Sequence, residues 1–118
     1  MTITHTEQSY LVDHIIDTWA ALTVANGTGD GAGYTGSGQR TIQVTGTFGV
    51  GGTCIFEGTL DNANWFQLND PAGTAISFAA AGLKGIREDV IAVRPRVTAG
   101  DGTTSLTAVM TVRRNYRI

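Results

Sequence analysis

From Gln39 onward, apolar and polar residues alternate along most of the chain. Ile42, Val44 and Phe48 fall on one side, and Thr41, Gln43, Thr45 and Thr47 on the other. A repeat of two residues is that of a half-buried β-strand. After a turn at Gly49, Gly51 and Gly52, the residues Cys54, Phe56 and Leu60 alternate with Ile55, Glu57 and Thr59. A second strand is therefore predicted, and the two are expected to pair as a hairpin. Asp61, Asn62, Ala63 and Asn64 have side chains that bond turn backbone, and Trp65 to Leu68 forms a strand between that turn and the next, Asp70 to Gly73. Only one of the neighbours Trp65 and Phe66 can face the core. Ile76 and Phe78 mark a short strand, and residues 79–88 are expected to loop over one end of the domain.

Val90 to Thr98 is β-branched and regular, but Pro95 lacks a backbone donor. This strand should lie at a sheet edge or lose its pairing at that point. Beyond the turn at Ala99 to Gly102, Leu106, Ala108, Met110 and Val112 alternate with Thr107, Val109, Thr111 and Arg113. It is the longest clean alternation in the chain and is predicted to be a central strand. Strands recurring about every ten residues between glycine and Asx turns define an all-β antiparallel sandwich or barrel of about seven or eight strands.

The first forty residues read differently. Thr4 to Glu7 could cap a helix and Leu11, Ile15 and Trp19 fall at helical spacing, yet Trp19 to Val24 also alternates as a strand does. A strand or extended arm is preferred to a helix. Asn26 to Gly38 is nearly all Gly, Thr, Ser and Asp around Tyr34, as in an adaptable loop. The expected organisation is an N-terminal arm and Gly-rich loop over residues 1–38 and a β-sandwich over residues 39–118, one domain overall. Deleting residues 1–24 is then expected to leave the sandwich folded.

Composition narrows the partners. Charged residues make up 15% of the 118, against about 25% in an average soluble domain. The net charge is -2, and no basic stripe precedes the C-terminus, so nucleic acid is not an expected partner. Cys54 is the one cysteine, which leaves no intrachain disulfide. No charged apolar leader and no run of about 18 apolar residues occurs, so the expectation is synthesis in the cytoplasm and no membrane partner.

Gly31, Gly33 and Gly36 spell G-x-G-x-x-G, but a strand follows where phosphate binding needs a helix. Asp30, Asp61, Asp70 and Asp101 are turn residues without calcium-loop spacing, so no metal and no cofactor are expected. The two histidines, His5 and His14, both fall in the N-terminal segment and Cys54 sits in core pattern, so no catalytic set converges and the chain is not expected to be an enzyme. Trp65 with Asn62 and Asn64 could stack on a sugar, against the simpler reading of one core aromatic. Arg113, Arg114 and Arg117 close the chain, and Arg94 and Arg96 share one strand face. They are read either as solvated or as forks for carboxylates on a partner.

The order V-x-G-T-F-G at Val44 to Gly49, E-G-x-x-D at Glu57 to Asp61, N-W at Asn64 and Trp65, R-P at Arg94 and Pro95, T-x-G-D-G-T-T at Thr98 to Thr104 and a closing R-R at Arg113 and Arg114 resembles small virion proteins of tailed bacteriophages. Capsid decoration, or cement, proteins are the most similar group. The resemblance covers about the last two thirds of the chain and leaves the N-terminal segment unmatched. It implies a β-sandwich, of which the jelly roll is one form, that sits outside a capsid and bridges major capsid proteins. A homo-oligomer, dimer or trimer, is implied as well. The candidate partner-binding residues are Tyr10, Trp19, Tyr34, Arg94, Arg96, Arg113, Arg114, Tyr116 and Arg117. The alternatives are a phage tail or baseplate protein and a carbohydrate-binding receptor-recognition sandwich.

Overall fold

The computed structural model describes residues 2–10, 14–33 and 39–113, with Tyr10 described in its backbone alone. Among these residues there is no helix, and eleven strands form two sheets. One sheet runs β1 (Thr2–Ile3), β4 (Thr28–Gly29), β10 (Ala92–Ala99), β6 (Thr53–Thr59) and β7 (Phe66–Gln67), with β8 (Ser77–Phe78) also on β6. The other runs β2 (Thr6–Tyr10), β3 (His14–Leu22), β11 (Ser105–Arg113), β5 (Arg40–Thr47) and β9 (Gly82–Gly85). All pairs are antiparallel except β1 with β4. The strand count exceeds the expected seven or eight because several strands are two residues long, too short to show an alternation.

The predicted sandwich is present. Ile42, Val44, Leu106, Ala108, Met110 and Val112 are buried from one sheet, and Cys54, Phe56, Val93 and Val97 from the other. Phe56 and Phe78 meet edge to face, with ring centroids 6.0 Å apart. The strand expected at the centre, β11, is flanked by β3 and β5 along its length. Cys54 is fully buried, and desolvation pushes its thiol up to about 12. Only a thiolate attacks a disulfide reagent. Ellman's reagent at pH 8 is therefore expected to leave folded protein unlabelled and to label one thiol per chain in 6 M guanidinium; rapid labelling of native protein would contradict the burial.

The hairpin expected between residues 39–48 and 53–60 does not form. β5 pairs with β11 and β9, whereas β6 pairs with β10, β7 and β8. The glycine turn carries the chain from one sheet to the other, and so does the turn at 100–104. The two crossings are tied together: Thr104 Oγ1 donates to the Phe48 carbonyl at 2.7 Å, and Asp101 accepts the Val50 N–H at 2.9 Å. The Thr103 hydroxyl, donating to Asp101 at 2.7 Å, contributes most to holding that carboxyl down at about 2, followed by the Val50 and Thr103 N–H groups. An alternating pattern fixes which face is buried and is silent about which strand lies alongside.

The N-terminal segment expected as a separate arm is part of the sandwich. β3 lies against β11 and buries Ile15, Trp19 and Leu22. Its ambiguous pattern has a cause: a register shift between the pairs Leu106↔Leu22 and Ala108↔Trp19 inserts one extra residue, with Ala21 at φ 58°. Such a bulge returns Leu22 to the same face as Trp19, which strict alternation forbids. Residues 79–88, expected to be a loop, contain β9, whose Gly-Leu-Lys-Gly sequence carries no strand pattern of its own.

Pro95 behaves as its missing donor requires. In β10 the N–H groups of Val93 and Val97 point at Ala32 and Gly27, so Pro95 has its N toward that same side, where only the short β4 runs. Gly29 lies there, and a Cβ on it would come within 2.7 Å of both the proline ring and Trp19. The glycine admits the ring, and the full ladder with β6 on the other side is kept.

Candidate partner-binding surface

Beyond Thr59 the inner face of β6 runs out of core. Gly58 is enclosed, since a Cβ there would lie 2.8 Å from Leu68 and 2.9 Å from Val90. The following residue on that face, Leu60, is 70% exposed and had been expected inside. Phe66 pairs with Gly58, shares its face, and is 71% exposed. Gly58, Leu60, Phe66, Leu68 and Val90 line an apolar groove of about 460 Å3 that opens the end of the sandwich to solvent.

Its rim is held rigidly. Asp61 accepts the Ala63 and Asn64 backbone N–H groups at 2.9 and 2.8 Å and the Asn64 side-chain amide at 2.7 Å. These bonds hold its carboxyl well below the usual range, the Asn64 N–H first among them. Thr59 Oγ1 accepts the N–H of Asn62 at 3.0 Å, and Asn62 takes the left-handed conformation at φ 62°. Preorganised apolar side chains at a rim of satisfied polar groups suit docking, because little entropy remains to be lost on binding.

Neither Trp65 nor Phe66 is the core aromatic that was expected; that place belongs to Trp19 and Phe56. Trp65 is half-buried on the outer side of the sheet, with the Arg94 guanidinium 4.3 Å from its ring centre. One face of the indole is thereby occupied by the guanidinium. Arg94 lies across from Glu57 in register, and both Arg94 and Arg96 close on that buried carboxylate: Arg94 Nε at 3.0 Å from one oxygen, Arg96 NH1 at 3.2 Å from the other. The carboxylate that the two guanidinium groups meet is the chain's own, where solvent or a partner's carboxylate was expected. Arg96 keeps 45% of its side chain in solvent against 24% for Arg94.

Of the other expected contacts, the two that are described, Trp19 and Arg113, do not join this face. Arg113 is exposed at the end of β11, in the opposite sheet. Trp19 is fully buried, with Nε1 donating to the Asp30 carbonyl and carboxylate at 3.0 Å each, and is a core residue instead of a partner contact. Tyr34, Arg114, Tyr116 and Arg117 lie outside the described residues, as does the side chain of Tyr10. Leu60 and Phe66 were missed because an alternating pattern assigns an apolar residue inward whether or not the sheet continues over it.

These observations define the chain as an all-β sandwich domain with one open end. No family model matches it, and no curated protein matches it in sequence. Among solved structures, the crystal structure of the SPBc2 prophage-derived protein YomS is similar, with a TM-score of 0.57 and 11% identity over 90% of this chain and 99% of that one. At that identity the likeness is one of fold, and it extends over nearly the whole of both chains.

Proposed function

We propose that this chain is a structural protein of a tailed-bacteriophage virion, which docks on the outside of the capsid and bridges neighbouring major capsid proteins. The observation that carries the phage reading is the near end-to-end fold match to a prophage-derived protein, joined to the virion-protein words along residues 44–114. The Leu60–Phe66 groove is the docking surface in this reading. A low-charge, hydroxyl-rich exterior supports packing at high copy number, where long-range repulsion between subunits would be costly. The protein is made in the host cytoplasm and ends on the virion as a dimer or trimer, without nucleic-acid or membrane contact.

A reconstruction of virions bound by the purified protein tests the reading. Density of the sandwich on the outer capsid surface is expected, with the groove turned toward the shell. Density confined to the tail or baseplate would overturn the capsid assignment, and no association with any virion part would overturn both. Phe66→Ser and Leu60→Ser are expected to leave the melting temperature near that of the parent and to weaken virion association by about tenfold or more, the scale of truncating an interface anchor. Unchanged association of both variants would move the contact elsewhere on the surface.

A further inference from the structure

At the β1 and β2 edge of the two sheets, away from β7, three ligand-bearing side chains from the N-terminal segment meet. Glu7 on β2 and Asp17 on β3 are direct cross-strand partners, so their side chains share a face. His5 sits on the link from β1 in one sheet to β2 in the other. One ligand atom of each of His5, Glu7 and Asp17 lies within 4.8 Å of the others.

Two further observations point at a ligand. Asp17 is fully buried on the inner face, and neither of its carboxylate oxygens has a hydrogen-bond partner. Buried polar groups are nearly always satisfied, so such a carboxylate calls for a missing partner. His5 is also oriented as a ligating histidine is. Its Nδ1 lies 2.8 Å from Asp30 Oδ1 and its backbone N–H bonds the same oxygen at 2.9 Å, while Nε2 faces Asp17 Oδ1 at 3.7 Å. With Nδ1–H given to the carboxylate, Nε2 carries the lone pair, the carboxylate–histidine arrangement that supports bound metal.

We propose that His5, Glu7 and Asp17 form a site for a divalent transition-metal ion of the zinc class, with Asp30 as the residue that orients His5. One imidazole nitrogen and two carboxylates suit Zn2+ better than Ca2+, which takes oxygen ligands throughout. A pair of ligand atoms 3.7 Å apart needs only a small closure to reach ligand spacing around a tetrahedral ion with bonds of about 2 Å. The burial that pushes the Asp17 carboxyl up to about 6 is opposed by His5 and Arg40 and reinforced by Glu7 and Asp30; a bound cation would remove the reason for that rise. The site would tie the link between β1 and β2 to strands β2 and β3, a clip on the N-terminal segment of a domain that has no disulfide.

The test uses the whole protein stripped with chelator and titrated calorimetrically with Zn2+. Saturable uptake of one ion per chain, with a rise in melting temperature, is expected. In a Trp65→Phe background, Co2+ is expected to quench Trp19, whose ring centre lies 5.9 Å from that of His5. Glu7 is exposed, so Glu7→Gln should fold normally and lose most of the Zn2+ affinity. His5→Gln should abolish binding, and Asp30→Asn should weaken it about 10- to 100-fold, the usual cost of losing the group that orients a ligand. Absence of saturable Zn2+ uptake by the parent, or uptake unchanged in Glu7→Gln, overturns the site. Uptake lost in His14→Gln and kept in His5→Gln overturns it as well.

Discussion

A chain lacking residues 1–24 is expected not to fold. The truncation removes β3, which pairs with β11 from Leu106 to Arg113 and buries Ile15, Trp19 and Leu22 at 1%, 0% and 0% exposure. Burying a large apolar side chain contributes roughly 1.5–3 kcal/mol, so these three together match the whole net stability of a typical domain, about 5–15 kcal/mol. The truncated chain would also leave β11 as an unprotected edge with its apolar face open, a template for aggregation. Far-UV circular dichroism without a β signal, or recovery only from inclusion bodies, is the expected result. A soluble truncated protein with a cooperative thermal transition would restore the idea of a separable arm. Removing residues 1–4 alone takes away β1, whose Ile3 is only half-buried against the core, and should leave a cooperative fold.

What the sequence made legible was the face each strand buries. The alternation at Ile42 and Val44, at Cys54 and Phe56, and from Leu106 to Val112 corresponds residue for residue to buried positions. The all-β class and the central place of β11 followed from it. Pairing was not legible, because a glycine-rich turn such as Gly49 to Gly52 serves equally to fold a strand back on its neighbour or to carry it across to the facing sheet. The bulge at Ala20 and Ala21 hid β3 by shifting the period within nine residues. Strand β9 was hidden because its backbone pairs without a side-chain pattern.

The candidate sites divide along the same line. Arg94 and Arg96 could be placed on one face by counting, yet their partner Glu57 is in register with Arg94 only through pairing 37 residues apart. Glu7 and Asp17 meet for the same reason, across a β2–β3 hairpin that the sequence did not reveal. Leu60 and Phe66 depend on something still less visible, namely where a sheet stops covering its own inner face.

Replacing Trp19 by alanine is expected to cost about 3–5 kcal/mol, the range for removing a fully buried large aromatic. Its ring is enclosed between the sheets, and its Nε1–H satisfies both the carbonyl and a carboxylate oxygen of Asp30. Truncation would leave a cavity and take the indole donor from the Asp30 carbonyl, while Asp30 Oδ1 keeps its bonds from His5, so the lost packing accounts for most of the cost. With a urea dependence of roughly 1–3 kcal/mol/M, the midpoint should fall by about 2 M. Trp19→Phe keeps part of the volume and none of the donor, so it should fall between the parent and Trp19→Ala. Trp65→Ala offers the contrast: the ring is half-buried, and its stacking on Arg94 is worth about 0.5–2 kcal/mol. Its midpoint should therefore shift by less than half as much. Equal shifts for the two alanine variants would mean that Trp19 is no more a core anchor than the half-buried Trp65, and would undo the placement of β3 inside the sandwich.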